Sequence, residues 1–557
     1  MAAVQDVSGG STTISPVPVQ DDGPSQIRQA YELAAVDQGT SSPGPAAAAP
    51  PEYPTGARLW LILVTVAAIL VLACVDMNVL PTALPSITNH FHTVRDAGWY
   101  AAAFRLSVCA FQFVFGRAYA LFSVRRVLVL ANAVAVAGAL LSGAAATSGA
   151  LVLGRAVAGL GSSGLLAGCF AVLAQSLPLR RRPLVLGVMG GVEGAAACAA
   201  PLLGGALTQS VLGWRWCFYV TAPIGVATLA CTWFCLPDAP KPEAVARLSV
   251  REKLARLDLL SNLIFLPSLT SLFLALSWAG TKYPWSDGRV VGTLVTFGVL
   301  FGAFIYNQAR RGRSATLPPH IMKHRTVIAG MIFILCMNSA DSILDYYLPT
   351  YYQVVRHYSP AKSGYMMLPI IVGAVVGSLI HGAGTSAFGY YAPFMLFASI
   401  LGPVSLGLTT TFSGGTKFVQ LIAYSFMFGL AYGIGFSGPQ NAVQTTLAEE
   451  DIPLGLSVIL FAQSLGPAVA VTVAQVLFSN KLSSSLARLN IGFNQTEMAE
   501  RGLLEIFQII PPESLDEALG GFEKSLSAAW YLAVAFACMT LVGTLLVEWK
   551  SVKTKKD

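Results

Sequence analysis

The sequence predicts an all-α integral membrane protein with about fourteen membrane-spanning helices. Of the 557 residues, 54% are hydrophobic and only 11% are charged, whereas soluble domains carry about 25% charged residues. Apolar stretches of about 20 residues, the length that crosses a bilayer, recur along the chain. Lys and Arg gather in short clusters between these stretches, as they do in the loops of membrane proteins.

The apolar stretches predict where the chain crosses the bilayer. The fourteen predicted spans are 59–80, 97–116, 127–147, 150–174, 184–210, 215–236, 257–279, 290–307, 326–350, 361–383, 390–411, 417–440, 453–479 and 527–548. The domain organisation that follows is a disordered N-terminal tail at 1–56, a six-span half at 57–236, a linker with two inserted spans at 237–325, a second six-span half at 326–549 with an outer loop at 480–526, and a basic tail at 550–557.

The distribution of basic residues predicts the orientation in the membrane. With the N-terminus in the cytoplasm, the clusters at Arg125 and Arg126, at 180–182 and at 241–256 all lie on the inside, as the positive-inside rule requires. An even number of spans then returns the C-terminus to the cytoplasm. Asn494 begins an Asn-Gln-Thr sequon in the outer loop and is a candidate glycosylation site. We expect the protein to lie in the plasma membrane, with a vacuolar or vesicular membrane as the alternative location.

An internal repeat relates the two halves. A GxGxxG pattern in span four, at 159–164, returns in span twelve at 433–438, and Pro201 in span five is echoed by Pro467, 266 residues later. The pattern follows no strand, so it predicts close helix packing rather than nucleotide binding. Because eight spans separate the copies, the halves share one orientation, which is a parallel repeat. The residues predicted to serve packing or gating are Gly159, Gly161, Gly164, Gly194, Pro201, Gly204 and Gly205.

Several motifs together carry a family resemblance. They are DMNVLPTALP at 76–85, LVLGRAVAGLGSSG at 151–164, APLLGG at 200–205, WRWCFYVTAPIG at 214–225, YYLPTYYQ at 346–353 and EWKSVK at 548–553. On these motifs the chain resembles the fourteen-span drug:proton antiporters of the major facilitator superfamily, particularly fungal mycotoxin and multidrug efflux pumps. The resemblance covers about residues 59–556 and implies two six-helix halves around a central cavity, with two inserted helices.

Ionisable residues within the spans are candidates for proton coupling, because charges at bilayer depth are costly and mark ion pathways. Arg155 matches the arginine that the resemblance associates with proton transfer, and the depth of Asp76 allows the two to pair. Arg105 and Glu193 form a second candidate pair near mid-membrane, whereas Asp341 and Asp345 lie one turn apart on span nine. A purely structural role, in which these charges hold helices together, is the alternative. The predicted set is Arg155, Asp76, Glu193, Arg105, Asp345 and Asp341.

Aromatic and amide side chains in spans nine and twelve are candidate contacts for a bulky organic substrate. They are Asn338, Tyr346, Tyr347, Tyr351, Gln440 and Gln444. No Walker loop, nucleophile elbow or set of metal ligands is recognisable, so the sequence predicts no enzyme activity, no cofactor and no metal. The basic residues form no stripe interleaved with aromatic side chains, and therefore nucleic acid is not an expected partner.

The sequence thus predicts proton-coupled efflux of small organic compounds by a protein that acts as a monomer in the lipid bilayer. A proton-coupled importer of an iron chelate or a nutrient remains an alternative, since sequence does not give the direction of transport. A non-transporting membrane sensor built on a transporter fold is the alternative from another class.

Overall fold

Fourteen helices among the described residues are long and apolar enough to cross a membrane. The computed structural model describes residues 53–92, 96–236, 243–279, 283–312, 315–487 and 512–553. The spanning helices α1 to α14 are, in order, Gly56–Asn78, Trp99–Leu121, Val124–Gly143, Ser148–Ser176, Arg182–Thr208, Trp216–Cys235, Val250–Trp278, Gly288–Arg311, Arg325–Val354, Lys362–Phe388, Ala392–Thr409, Phe418–Thr446, Ile452–Leu486 and Glu517–Leu546. The tail before residue 53, the Asn494 sequon and residues 554–557 lie outside the described residues.

The predicted outer loop at 480–526 is wrong at both ends. Helix continues from Ile452 to Ala487, and the last helix already begins at Pro512. Leu482 and Leu486 share one buried cluster with Phe522, so the two helices pack on each other beyond the predicted spans. A window of hydropathy misses such extensions because only one face of each helix is apolar there.

Glycines allow close contacts between neighbouring helices within each half. A Cβ at Gly159 in α4 would overlap the carbonyl oxygen of Phe104 in α2, and one at Gly161 would overlap the backbone of α3. The second copy repeats this arrangement, since Gly433 in α12 meets the carbonyl oxygen of Ala374 in α10 and Gly435 lies against Ala398 in α11. The two GxGxxG patterns therefore pack against equivalent helices in the two halves.

The remaining packing residues are Gly164 at the end of the first GxGxxG pattern in α4 and four residues of α5. A Cβ at Gly164 in α4 would lie 2.6 Å from the Ala131 Cβ, and one at Gly204 would overlap the Thr82 hydroxyl. Pro201 lies inside the long helix of α5. Nothing among the described residues lies within 4 Å of the place that a Cβ at Gly205 would take, so no described neighbour accounts for the packing role predicted for this glycine.

Two seams join the halves, and both are tightest near the face that carries the basic loops at 123–126 and 177–182, which we call the basic face. In the first seam, α2 packs on α13, where a Cβ at Gly116 would lie 2.6 Å from the Ser457 Cβ. In the second seam, the Leu184 N–H of α5 donates to Ser386 Oγ of α10 at 3.1 Å. The repeat pairs α2 with α10 and α13 with α5, so the seams are counterparts.

The second seam widens steadily away from the basic face. A Cβ at Gly187 would overlap the carbonyl oxygen of Ser378. Measured from the position that a Cβ would take, the nearest neighbouring atom lies at 3.3 Å for Gly190, 3.4 Å for Gly191 and 3.9 Å for Gly194. Beyond Gly194 the two helices line an apolar cavity of about 380 Å³. Among the described residues, the buried clusters nearest the opposite face each belong to one half alone. The bundle is therefore closed at the basic face and parted toward the opposite face.

The inserted helices α7 and α8 lie against the first seam. The Phe265 ring of α7 lies 5.7 Å from the Phe113 ring of α2 and 5.7 Å from the Phe461 ring of α13, and it stacks on Phe304 of α8 at 4.5 Å. At the basic end, Asp258 accepts hydrogen bonds from Ser261 and from the Gln308 amide, which ties α7 to α8. The inserted pair thus covers one seam and leaves the other uncovered.

The EWKSVK segment closes over the loop between α10 and α11 at the basic face. The Val552 N–H donates to the carbonyl oxygen of Gly389 at 2.8 Å, and Tyr391 donates to the carbonyl oxygen of Glu548. Val552 is buried. The salt bridge from Lys550 to Glu548, at 2.9 Å, lowers the pKa of the Glu548 carboxyl. The segment therefore fastens the end of α14 to the second half.

Gly433→Ala should destabilise the protein, because the new methyl would overlap the Ala374 carbonyl oxygen at the contact of α10 with α12. The matched control is Gly407→Ala in α11, where nothing lies within 4 Å of the new methyl. We expect the midpoint of thermal unfolding in detergent to fall for Gly433→Ala and to stay equal or rise for Gly407→Ala, since alanine favours helix. Equal midpoints would contradict close packing at Gly433.

Candidate coupling and substrate site

A buried salt bridge lies inside the first half. Arg155 of α4 donates from Nη1 to Asp76 Oδ1 of α1 at 2.8 Å, and their side chains are only 1% and 8% exposed. Asp76 is the third residue from the end of its helix, and Arg155 is eight residues into α4, which begins from the opposite face. The structure thus brings together the two residues whose depths allowed a pair. Their part in proton coupling stays a prediction.

The backbone and aromatic rings hold the Arg155 guanidinium in place. Its Nε donates to the carbonyl oxygen of Tyr100 at 3.1 Å, and its Cζ lies 4.3 Å from the Phe104 ring centre and 5.7 Å from that of Phe218. The ring faces attract a cation and exclude water. Sequence reasoning missed these three residues, because a carbonyl oxygen and two phenylalanines give no signal among so many apolar residues.

A small polar cavity lies beside Asp76. It has a volume of about 10 Å³, and its lining includes the hydroxyl-bearing Ser162 and Thr221 together with Asp76. This volume is near the minimum that holds one water molecule, and the three side chains offer that water polar partners.

The predicted pairing of Arg105 with Glu193 is wrong. No salt bridge joins these two described residues, and each is half-buried. At 1.5 Å per residue, Arg105 lies about 9 Å from the end of α2 at the opposite face, whereas Glu193 lies about 22 Å from the corresponding end of α5. The two charges are therefore at different depths. Arg105 and Glu193 each lie within the span that the sequence predicts for them.

Acidic residues from both halves surround the Tyr432 side chain of α12. Glu193 of the first half and Asp341 and Asp345 of α9 all lie within electrostatic reach of this tyrosine. The Tyr432 hydroxyl donates to Asn338 Oδ1 at 3.1 Å, which places Asn338 in the same group. Asp345 is exposed, while Asp341 and Glu193 are half-buried. Tyr432 is thus within electrostatic reach of acids from both halves.

Tyr347 and Tyr351, two of the predicted substrate contacts, lie in the core of the second half, and their contact with substrate stays a prediction. Both are fully packed in the core of the second half, with exposures of 2% and 0%. Tyr351 donates its hydroxyl to the Ser413 carbonyl oxygen at 2.8 Å and stacks on Phe412, while Tyr347 packs on Phe478. Sequence pattern cannot separate a core tyrosine from a binding tyrosine on one apolar helix. Tyr346 is 51% exposed and stays a candidate.

Gln440 and Gln444 lie one turn apart on α12, and both are buried. No hydrogen-bond partner among the described residues reaches either amide oxygen or either amide nitrogen. Two free buried amides on one helix face are consistent with a binding role. Within the part of the chain that the structure describes, no three His, Cys, Asp or Glu side chains come together as metal ligands.

Breaking the Arg155–Asp76 pair from one side should cost about 3–5 kcal/mol, because it leaves the other charge buried without a partner. We expect Arg155→Met and Asp76→Ala each to lower the midpoint of thermal unfolding, and the double variant to recover much of the loss. Thermal unfolding of the four purified proteins in detergent measures this. A double variant no more stable than the weaker single variant would show that the two charges do not depend on each other.

Comparisons with known proteins place this architecture in a family. The profile of the Major Facilitator Superfamily matches residues 66–471. The chain is 38% identical to "MFS-type efflux pump MFS1" of Arthroderma benhamiae, over 90% of this chain and 93% of that protein. It is 35% identical to "Efflux pump aflT" of Aspergillus parasiticus, over 90% of this chain and 98% of that protein. The chain is 36% identical to "Efflux pump roqT" of Penicillium rubens, over 90% of this chain and 93% of that protein.

Solved structures share the fold. The human organic anion transporter MFSD10 superimposes with a TM-score of 0.58 at 13% identity, covering 89% of this chain and all of that one. The proton:xylose symporter XylE superimposes with a TM-score of 0.57 at 13% identity, covering 89% of this chain and 97% of that one. At this identity the likeness concerns the fold alone. With its family profile, its close relatives and its two packed halves, the chain belongs to the Major Facilitator Superfamily as a multi-pass membrane protein.

Proposed function

We propose that this protein exports small organic compounds in exchange for protons. The buried Arg155–Asp76 pair is the observation that carries the proton coupling, because a carboxylate that can lose its partner on protonation is a two-state element inside the membrane. Relatives that are named efflux pumps and match over 90% of the chain support export. The chain offers no ATP-binding motif of its own, so an ion gradient supplies the energy.

The closed basic face supports alternating access. With the basic loops in the cytoplasm, as the positive-inside rule favours, the described conformation is open to the outside and closed to the inside. A proton entering from outside meets Asp76 in the outer part of α1 and frees Arg155 from its carboxylate. Glu193 and the two aspartates of α9 then accept protons nearer the middle of the bundle. Rocking of the halves about the two seams exchanges the open face.

Export can be tested in cells that lack their own efflux pumps and are preloaded with Nile red, a neutral fluorescent dye. We expect glucose to start dye loss only in cells that express the protein, and a protonophore to stop it. Glu193→Gln should reduce the initial rate at least tenfold, because it removes a proton acceptor but keeps the shape of the side chain. Glu517→Gln, at an exposed acid near the start of α14, is the matched control and should export normally.

Each other outcome of this assay argues against the proposal in a defined way. Dye accumulation above that of empty cells would mean import rather than export. Export that survives the protonophore would rule out proton coupling. Dye binding to the purified protein without flux in cells would favour the alternative of a non-transporting membrane sensor. Wild-type rates in Glu193→Gln would remove Glu193 from the coupling path.

A further inference from the structure

Three buried glutamines have amide groups without any hydrogen-bond partner among the described residues. They are Gln112 of α2 and Gln440 and Gln444 of α12, with exposures of 1%, 1% and 2%, and both Nε2 and Oε1 of each are unpaired. Leaving one buried amide unpaired costs about 1–3 kcal/mol, so native proteins rarely do so. Three such side chains in one membrane bundle have amides that are available to a partner other than the described residues, such as water or a bound molecule.

Gln112 lies at the first seam. On either side of it along α2, Phe113 packs on Phe461 of α13 at 4.8 Å and Gly116 meets Ser457 of α13. Gln112 therefore stands at the edge of the face that α2 presents to α13, where separation of the halves would expose it.

The other two amides border the same apolar cluster from the second half. Val443 and Leu447, which flank Gln444 on α12, are buried in one cluster with Phe113 of α2 and with Leu456 and Ile459 of α13. On α13, the Gln463 Oε1 atom is also without a partner among the described residues. Gln112 of the first half and Gln444 of the second half thus each follow or precede, along the chain, a member of one buried apolar cluster on the side of the bundle that is closed in this conformation.

The chemistry of these groups defines the ligand. Each amide offers two donors and an acceptor without a net charge, and the nearby phenylalanine rings offer flat apolar surfaces. Binding sites that combine apolar walls with a few fixed polar groups select molecules by the position of their own polar atoms. The matching ligand is a neutral, flat aromatic compound that carries both carbonyl and hydroxyl groups.

We propose that Gln112, Gln440 and Gln444 form a recognition site for neutral hydroxylated aromatic carbonyl compounds, which they bind when the bundle opens at the basic face. This site rests on the proposed function and specifies its substrate class. Gln440 and Gln444 alone would place the site within the second half, whereas Gln112 extends it across the first seam. Separation of α2 from α13 then admits the substrate and satisfies the free amides in one movement.

The test uses Gln112→Met, which keeps the length of the side chain and removes the amide. Gln308→Met is the matched control, because the Gln308 amide is also buried but is bound at both ends, to Asp258 and to the Leu317 N–H. We expect an equal or higher midpoint of thermal unfolding for Gln112→Met and a lower one for Gln308→Met. Affinity for 1,8-dihydroxyanthraquinone, measured by quenching of tryptophan fluorescence in the purified full-length protein, should fall about tenfold in Gln112→Met only.

Anthracene, which has the same ring system without polar groups, separates recognition from general apolar binding. We expect it to bind wild type and Gln112→Met equally. Wild-type affinity for the dihydroxyanthraquinone in Gln112→Met would overturn the site, as would a fall in thermal stability as large as that of Gln308→Met. If the wild type binds the compound but cells export no Nile red, the site stands and the proposed function fails. If cells export the dye and Gln112→Met binds the dihydroxyanthraquinone with wild-type affinity, the proposed function stands and the site fails.

Discussion

The constraint on which this structure depends is that the bilayer interior supplies no water to a buried polar group. The helical backbone meets that constraint by bonding within each span, which is why a membrane chain of this composition forms helices. Side chains have to meet it one by one. The amide nitrogen of Asn132 in α3 does so by donating to the Gly225 carbonyl oxygen and to Thr228 Oγ1 of α6, and these bonds join two helices of the first half.

Seen in this way, the polar side chains of the bundle fall into two groups. Arg155 is satisfied by Asp76 and by a backbone carbonyl oxygen, and Asp258 by the residues that join α7 to α8. The amides of Gln112, Gln440 and Gln444 have no partner among the described residues. The first group stabilises the helices that its bonds join, α1, α2 and α4 in one case and α7 and α8 in the other. The second group leaves part of its hydrogen-bonding capacity unused in this conformation.

The fold could be predicted from the sequence much further than the site could. Fourteen spans follow from hydropathy, and the repeat follows from glycines whose absent side chains are visible as a pattern, such as Gly159 and Gly433. The lengths of α13 and α14 do not follow, because Leu482 and Phe522 extend their helices through packing and not through mean hydropathy. The pair of Arg155 with Asp76 could be predicted from the depths of the two residues in the membrane alone. The packing of Tyr351 could not be predicted, because its hydrogen-bond partner Ser413 is 62 residues away on a loop.

Helix α2 connects the two chemically active regions of the bundle. Its Tyr100 carbonyl oxygen accepts from Arg155, its Phe104 backbone contacts Gly159 of α4, and Gln112 lies twelve residues from Tyr100, which is about 18 Å along a helix. In the proposed mechanism, protonation of Asp76 removes the carboxylate that positions Arg155, and the hydrogen bond to Tyr100 then loses its support. Because α2 is one continuous helix, a shift at its Tyr100 end also moves Gln112 relative to α13. Proton and substrate can therefore affect each other through a rigid element, without a direct contact between their sites.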